Sequence, residues 1–454
     1  MSYLFSQQFK ISTFRRLWVA LAKAQKELGL PISSEQIQQM EKHVETIDFH
    51  QVHMYEKQFR HDVMAHIHAF GDQCPAAKPI LHLGATSSYV ADNTDLIQMK
   101  EALRLLHTKL IALIQKLSAL AKLHASDPTL SYTHYQAAQP TTIGKRFCLW
   151  LQDMYQDALD WERLESSLPF LGVKGATGTQ ASFLTLLDGD EKKAKELEAL
   201  VAASFQFSHV LPIAGQTYSR KIDLSLLNSL ESFAASSHKM ATDLRLLAHE
   251  GEIQEAFEEK QIGSSAMPYK RNPIYAERIC GLSRFVISLA QNPAYTAATQ
   301  WLERSLDDSS NRRLCIPEAF LGADALLNLL AHVIDHLHVD ASLAKQHVIE
   351  HLPLLALENI LMSAVKKGES RQEAHEILRT LSIAAKKEKD PHVFLIREVA
   401  SNFDLPESEV RGFFDLEKMI GLAPQQVRDF LHTHIEPYLA NHQEKKAQFP
   451  KVEI

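Results

Sequence analysis

Thirteen residues, Gln261 to Pro273, read Gln-Ile-Gly-Ser-Ser-Ala-Met-Pro-Tyr-Lys-Arg-Asn-Pro. A glycine and two prolines break the helical pattern on either side, so the chain must leave one helix here and enter another. Asn272 as N-cap and Pro273 as the first helical residue suit that second start. A helix N-terminus offers unpaired N–H groups and partial positive charge, and Lys270 and Arg271 add two cations beside it. This is the chemistry of an anion-binding loop; a plain polar linker is the other reading.

Other candidates are scattered. Thr133-His134-Tyr135-Gln136 falls in a loop between Pro128 and Pro140, where a histidine either makes a structural hydrogen bond or moves a proton near neutrality. Arg60, His61 and Asp62 lie off an apolar helical stripe of Phe59, Val63, Ile67 and Phe70, and alone they read as a solvated face. Gly172, Gly175 and Gly178 match neither phosphate-loop fingerprint. His332 and His336 have an i,i+4 ligand spacing but lack a third ligand, so no metal is expected.

The elements that must hold these groups are helical. From Ala85 to Asp127 there is neither glycine nor proline, and Leu96, Met99, Leu103, Leu106, Leu110, Leu113, Leu117 and Leu120 keep a 3,4 spacing. With Asp92-Asn93-Thr94 as an N-cap cluster, this predicts a helix of roughly 30 residues and about 45 Å. Ile97, Leu105, Ile111 and Ile114 fall outside the seam, so the helix is expected to be buried on several faces. Further long helices are predicted up to Pro169, between Gly215 and Gly251, from Pro273 to Asn292, and from Pro317 to about Asp340. The fold class is all-α: an elongated helical bundle in three domains, 1–86, 87–339 and 340–454.

Composition narrows the partners. With 48 Lys plus Arg against 55 Asp plus Glu the net charge is -7, so bulk attraction to nucleic acid or an anionic membrane is not expected and any anion site must be local. Cys74, Cys148, Cys280 and Cys315 form no C-x-x-C pair, which fits a reducing, cytoplasmic setting.

Assembled, the segments Arg60-His-Asp62, Gly84-Ala-Thr-Ser-Ser88, Thr133-His-Tyr-Gln136, Gly215-Gln-Thr-Tyr218 and Gly263 to Pro273 resemble the aspartase/fumarase superfamily. Arg304-Ser-Leu-Asp-Asp-Ser-Ser-Asn-Arg-Arg313 and Ser370-Arg-Gln-Glu-Ala-His-Glu376 narrow the resemblance to the adenylosuccinate lyase family, on the branch that includes the animal enzymes. The resemblance implies a β-elimination releasing fumarate from a succinylated purine nucleotide, no cofactor, and a homotetramer whose long helices form a shared core with active sites built from several subunits.

Roles carried over by this resemblance are specific. Ser264 is the expected base and must act as an alkoxide, because a hydroxyl is a weak base at its ordinary pKa; Lys270 and loop N–H groups would stabilise it. His134 is the expected acid, oriented by Glu277. Thr86, Ser87, Lys270 and Asn272 would hold carboxylates. Arg60, His61, Asp62, Gln216, Arg278, Arg304, Ser309 and Arg313 would hold the nucleotide and its phosphate, a task suited to the arginine fork. One departure is that no arginine precedes Arg15, where the family carries a Ser-Arg-Tyr nucleotide contact. A sister lyase such as argininosuccinate lyase and a catalytically silent helical scaffold are the competing readings.

Overall fold

The computed structural model describes residues 1–257, 262, 265–444 and 446–452. The elements that position the candidate residues are, in chain order, α1 (Gln7–Glu27), α2 (Phe49–Phe59), α3 (Asp62–Gln73), α4 (Ser87–Leu123), β1 (Pro128–Thr133), β2 (Gln136–Thr142), α5 (Ile143–Ser167), α6 (Lys221–Glu250), β3 (Ile253–Gln254), α7 (Ile274–Leu289), α8 (Asp308–Asp335) and β4 (His338–Val339). Helices dominate as expected, and among the described residues strands occur only as two antiparallel pairs, β1–β2 and β3–β4.

The chain divides into two compact units built from interleaved segments. Unit 1 takes Met1–Lys109, Asp157–Ala235 and Gly281–Leu327; unit 2 takes Leu110–Gln156, Ser236–Cys280 and Asn328–Ile454. The boundaries fall inside the helices α4, α5, α6, α7 and α8.

In unit 1, Ser6 caps α1 by accepting from Phe9 N at 3.2 Å, and the helix buries Phe14, Leu17, Trp18 and Leu21. The apolar stripe from Phe59 to Phe70 does not run along one helix. Arg60 turns left-handed (φ 52°) to end α2, and His61 caps α3 by accepting from Met64 N at 3.3 Å. Arg60, His61 and Asp62 therefore occupy a corner, where exposed backbone must be capped by side chains.

Helix α4 has 37 residues, about 55 Å, and starts at Ser87, before the predicted cap cluster. Asp92, Asn93 and Thr94 are buried inside it. Two of them have tertiary partners instead of capping ones: Asn93 Oδ1 accepts from Leu171 N at 3.0 Å, and Asp92 pairs with Arg220. The seam from Leu96 to Leu117 is buried as its spacing predicts, with Ile97, Ile111 and Ile114 buried on other faces. Helix α8 likewise starts earlier than expected, at Asp308, and carries Pro317 inside it.

In unit 2, the predicted loop around Thr133-His134-Tyr135-Gln136 is a hairpin, with Thr133 paired to Gln136 and Pro128 to Thr142. Pro140 pairs with Leu130, and the side-chain alternation was too short and polar to announce a strand. Phe147, Leu151 and Met154 of α5 are buried, and Trp150 Nε1 donates to Asp243 on α6 at 2.7 Å. A separate apolar core of Ile360, Leu361, Leu378, Leu395, Ile396 and Val399 holds the helices after residue 355.

Candidate active site

In unit 1 a cavity of about 510 Å³ is lined by Asp62, Arg304, Ser309 and Arg313, four of the residues singled out from the sequence. Arg304 lies just before α8, where its Nη1 donates to both oxygens of Asp308 at 2.8 and 3.0 Å. Ser309 sits in the first turn of α8, and Arg313 one turn further on. Arg313 reaches Asp62 Oδ2 only at 3.6 Å, between side chains 62 and 43 % exposed, a loose pair that an incoming phosphate can displace.

Behind these groups is a buried ionic cluster. Arg220 donates from Nε to Asp308 at 2.7 Å and from Nη1 to Asp92 at 2.8 Å. Arg312 donates from Nε to Asp223 at 2.7 Å, pairs with Asp95 at 3.0 Å and meets the Tyr218 hydroxyl, which itself donates to Asp223 at 2.7 Å. Burial works against the charge on Arg220, yet Asp92 and the Tyr218 hydroxyl together act against it, and the guanidinium pKa stays above its ordinary value. These two arginines are committed to the protein. Arg304 uses only Nη1 among the described residues, so its remaining N–H groups, Arg313 and Lys10 are cations on the cavity wall available to an anion.

The sequence reading missed Asp92, Asp95, Arg220, Asp223, Asp308 and Arg312. A signal was present: Asp92 lies four residues before Leu96 and Asp223 four before Leu227, each in register with an apolar helical seam. A charge on a buried stripe requires a buried partner.

Thr86 and Ser87 form the entry to α4, where Tyr89 N donates to Thr86 O at 2.9 Å. Gly84 precedes them at φ 76°, and a Cβ there would meet Phe183 and Leu186 at 2.9 Å, so only glycine allows this approach. Gln216 is tied to the same entry: it accepts from Ser88 Oγ at 3.3 Å and donates from Nε2 to Ala176 O at 3.1 Å. Its backbone N–H donates to Glu303 O at 3.1 Å, which places Arg304 next along the chain. Arg60 and His61 stay at the α2–α3 corner and do not line the cavity.

In unit 2, His134 occupies the tip of the β1–β2 hairpin and is exposed. Both turn residues are left-handed, at φ 51° for His134 and 56° for Tyr135. Among the described residues His134 and Glu277 share no hydrogen bond or ion pair. Lys270 closes a turn by donating its N–H to Met267 O at 3.1 Å, and its side chain is exposed, as are Glu277 and Arg278; Asn272 is half-buried. Ser264 lies outside the described residues.

The start of α7 corrects one expectation. The helix begins at Ile274, and its first N–H groups do not stay open for a ligand: Tyr275 N and Ala276 N donate to the two oxygens of Glu255 at 3.0 and 2.5 Å. Burial raises the pKa of Glu255, and these two N–H groups act in the opposite direction. Arg271 is stacked on Phe257 at 5.1 Å, and both it and Lys270 are exposed.

Helices of this length and order define a known class. The chain matches the solved structure of a fumarate lyase from Mesorhizobium sp. BNC1 with a TM-score of 0.83 at 23 % identity, covering 95 % of this chain and 97 % of that one. Residues 2–288 match the family described as lyase, and residues 353–430 match the adenylosuccinate lyase C-terminus. The adenylosuccinate lyase of Schizosaccharomyces pombe is 46 % identical over 455 residues, 97 % of this chain and 93 % of that protein. That of Schistosoma mansoni is 43 % identical over 447 residues, again 97 and 93 % of the two chains. The chain belongs to the adenylosuccinate lyase family.

Proposed function

We propose that this chain performs a β-elimination that breaks the carbon–nitrogen bond of adenylosuccinate to yield AMP and fumarate, and the matching cleavage of succinylaminoimidazole carboxamide ribotide. The 46 % identity to an adenylosuccinate lyase across 97 % of the chain carries this reading. The cavity of unit 1, with Arg304, Ser309 and Arg313 on its wall, supports it with a place for a phosphorylated nucleotide.

The reaction needs a base for the proton beside a carboxylate, stabilisation of the charge that follows, and an acid for the departing nitrogen. Ser264 is the base, with Lys270 and Asn272 at the carboxylate. His134 is the acid. Its exposure at a hairpin tip, with no hydrogen bond or ion pair to Glu277 within one chain, is what a site assembled from several subunits of a homotetramer would require, with Glu277 reaching the imidazole of another copy. Thr86 and Ser87 hold the other carboxylate; Arg60, His61, Asp62, Gln216 and Arg278 complete the nucleotide contacts. The work takes place in the cytoplasm and uses no cofactor.

Purified protein incubated with adenylosuccinate is expected to release AMP and fumarate in equal amounts. Turnover of argininosuccinate alone would replace this reading by a sister activity, and turnover of neither would leave a helical scaffold.

A further inference from the structure

The turn that carries His134 is built against its own backbone preferences. A two-residue hairpin loop with both residues left-handed favours Asn-Gly, because side chains with a Cβ crowd the carbonyl in that region. Here the two positions are His134 (φ 51°) and Tyr135 (φ 56°). Strain of this kind persists only where the surroundings hold it.

Three contacts do so. The Tyr135 hydroxyl donates to Glu250 Oε1 at 3.2 Å, its ring lies 5.6 Å from that of Tyr132 across the hairpin, and its carbonyl accepts from Gln136 Nε2 at 3.2 Å. Glu250 is the last residue of α6, an unfavourable place for a carboxylate because the helix C-terminus carries partial negative charge. Two locally disfavoured choices, a tyrosine in a left-handed turn and an acid at a helix end, meet in one hydrogen bond. Neither element gains stability from its own half of that arrangement.

We propose that Tyr135 and Glu250 are positioning residues for His134: their hydrogen bond fixes the strained turn and thereby the direction of the imidazole. This rests on the reading of His134 as the acid. The tie acts on the chemical step rather than on substrate binding, because what it holds is a proton donor.

The test uses the full-length protein with adenylosuccinate as substrate, and compares kcat, KM and the urea midpoint. Tyr135→Phe keeps the ring and removes the hydroxyl; it is expected to lower kcat by about three- to tenfold with KM within about twofold and the midpoint unchanged. Glu250→Gln keeps an acceptor and should retain wild-type kcat, whereas Glu250→Ala should match Tyr135→Phe, with no further loss in the double variant. Tyr135→Gly relieves the turn, so the midpoint should hold or rise while kcat falls furthest. Wild-type kcat in both Tyr135→Phe and Tyr135→Gly overturns the proposal, as does a kcat loss that appears only with an equal loss of folded protein. His134→Ala is measured beside them. If it retains turnover, the acid assignment itself fails; if it loses turnover while the Tyr135 variants do not, the acid stands and the brace is refuted.

Discussion

Asp308 holds Arg304 with both carboxylate oxygens, at 2.8 and 3.0 Å, and is itself completely shielded from solvent at the carboxylate. The same carboxylate takes Arg220 Nε at 2.7 Å. One buried anion thus fixes a structural arginine and aims a second one at the cavity, linking the core of unit 1 to its candidate phosphate contact.

Asp308→Ala removes the carboxylate that pairs with Arg304 and one of the two that pair with Arg220, which keeps Asp92. Breaking one side of a buried ion pair costs about 3–5 kcal/mol. The variant should lose about that much in urea unfolding; a loss below about 1 kcal/mol would show that Asp92 alone satisfies Arg220.

Arg313 presents the opposite case. Its pair with Asp62 is long and exposed, so Arg313→Ala should leave the unfolding midpoint where it is. A charge-assisted contact to phosphate is worth about 1.5–3 kcal/mol, and KM for adenylosuccinate should therefore rise about ten- to hundredfold. An unchanged KM would remove Arg313 from the nucleotide site.

Ser264→Ala and His134→Ala should each lower kcat by about a hundredfold or more, the scale of losing a positioned acid or base, without altering the assembled state on size exclusion. Near-normal turnover in Ser264→Ala would refute its role as base.

His82 supplies a pH dependence. Its Nδ1 accepts from Trp18 Nε1 at 2.9 Å, a bond that requires neutral imidazole, and burial pushes its pKa down to about 4. The unfolded chain, with histidine near 6.5, binds the extra proton first as pH falls. Stability from this group is thus complete above about pH 6.5 and declines through the window down to about 4, by about 3 kcal/mol in all. In His82→Gln, which can still accept from Trp18, that part of the acid-side slope should vanish. An identical slope in wild type and variant would assign it to other groups.

Glu255→Ala should cost about 0.5–2 kcal/mol, the usual range for a lost helix cap, because Tyr275 N and Ala276 N lose their acceptor. Glu255→Gln, with one acceptor oxygen left, should fall between the two by thermal unfolding.

The helical class, the buried seam from Leu96 to Leu117, the long helix between Gly215 and Gly251, and the membership in the family were legible in the chain alone. Periodicity is a local property, and the motifs are contiguous strings, so neither needs tertiary contacts to be read. Helix starts were not legible in the same way. Asp92 and Asn93 have the residue types of a cap, yet their side chains are satisfied by Arg220 and by the backbone near Gly172, which lets α4 begin at Ser87. Pro317 has the residue type of a first turn, yet α8 runs through it from Asp308, whose carboxylate is claimed by Arg304 and Arg220. The N–H groups after Pro273 looked open to an anion and are taken by Glu255. In each case the deciding partner is distant in sequence, and the cost of leaving a buried polar group unpaired, about 1–3 kcal/mol, exceeds the few tenths that separate local preferences.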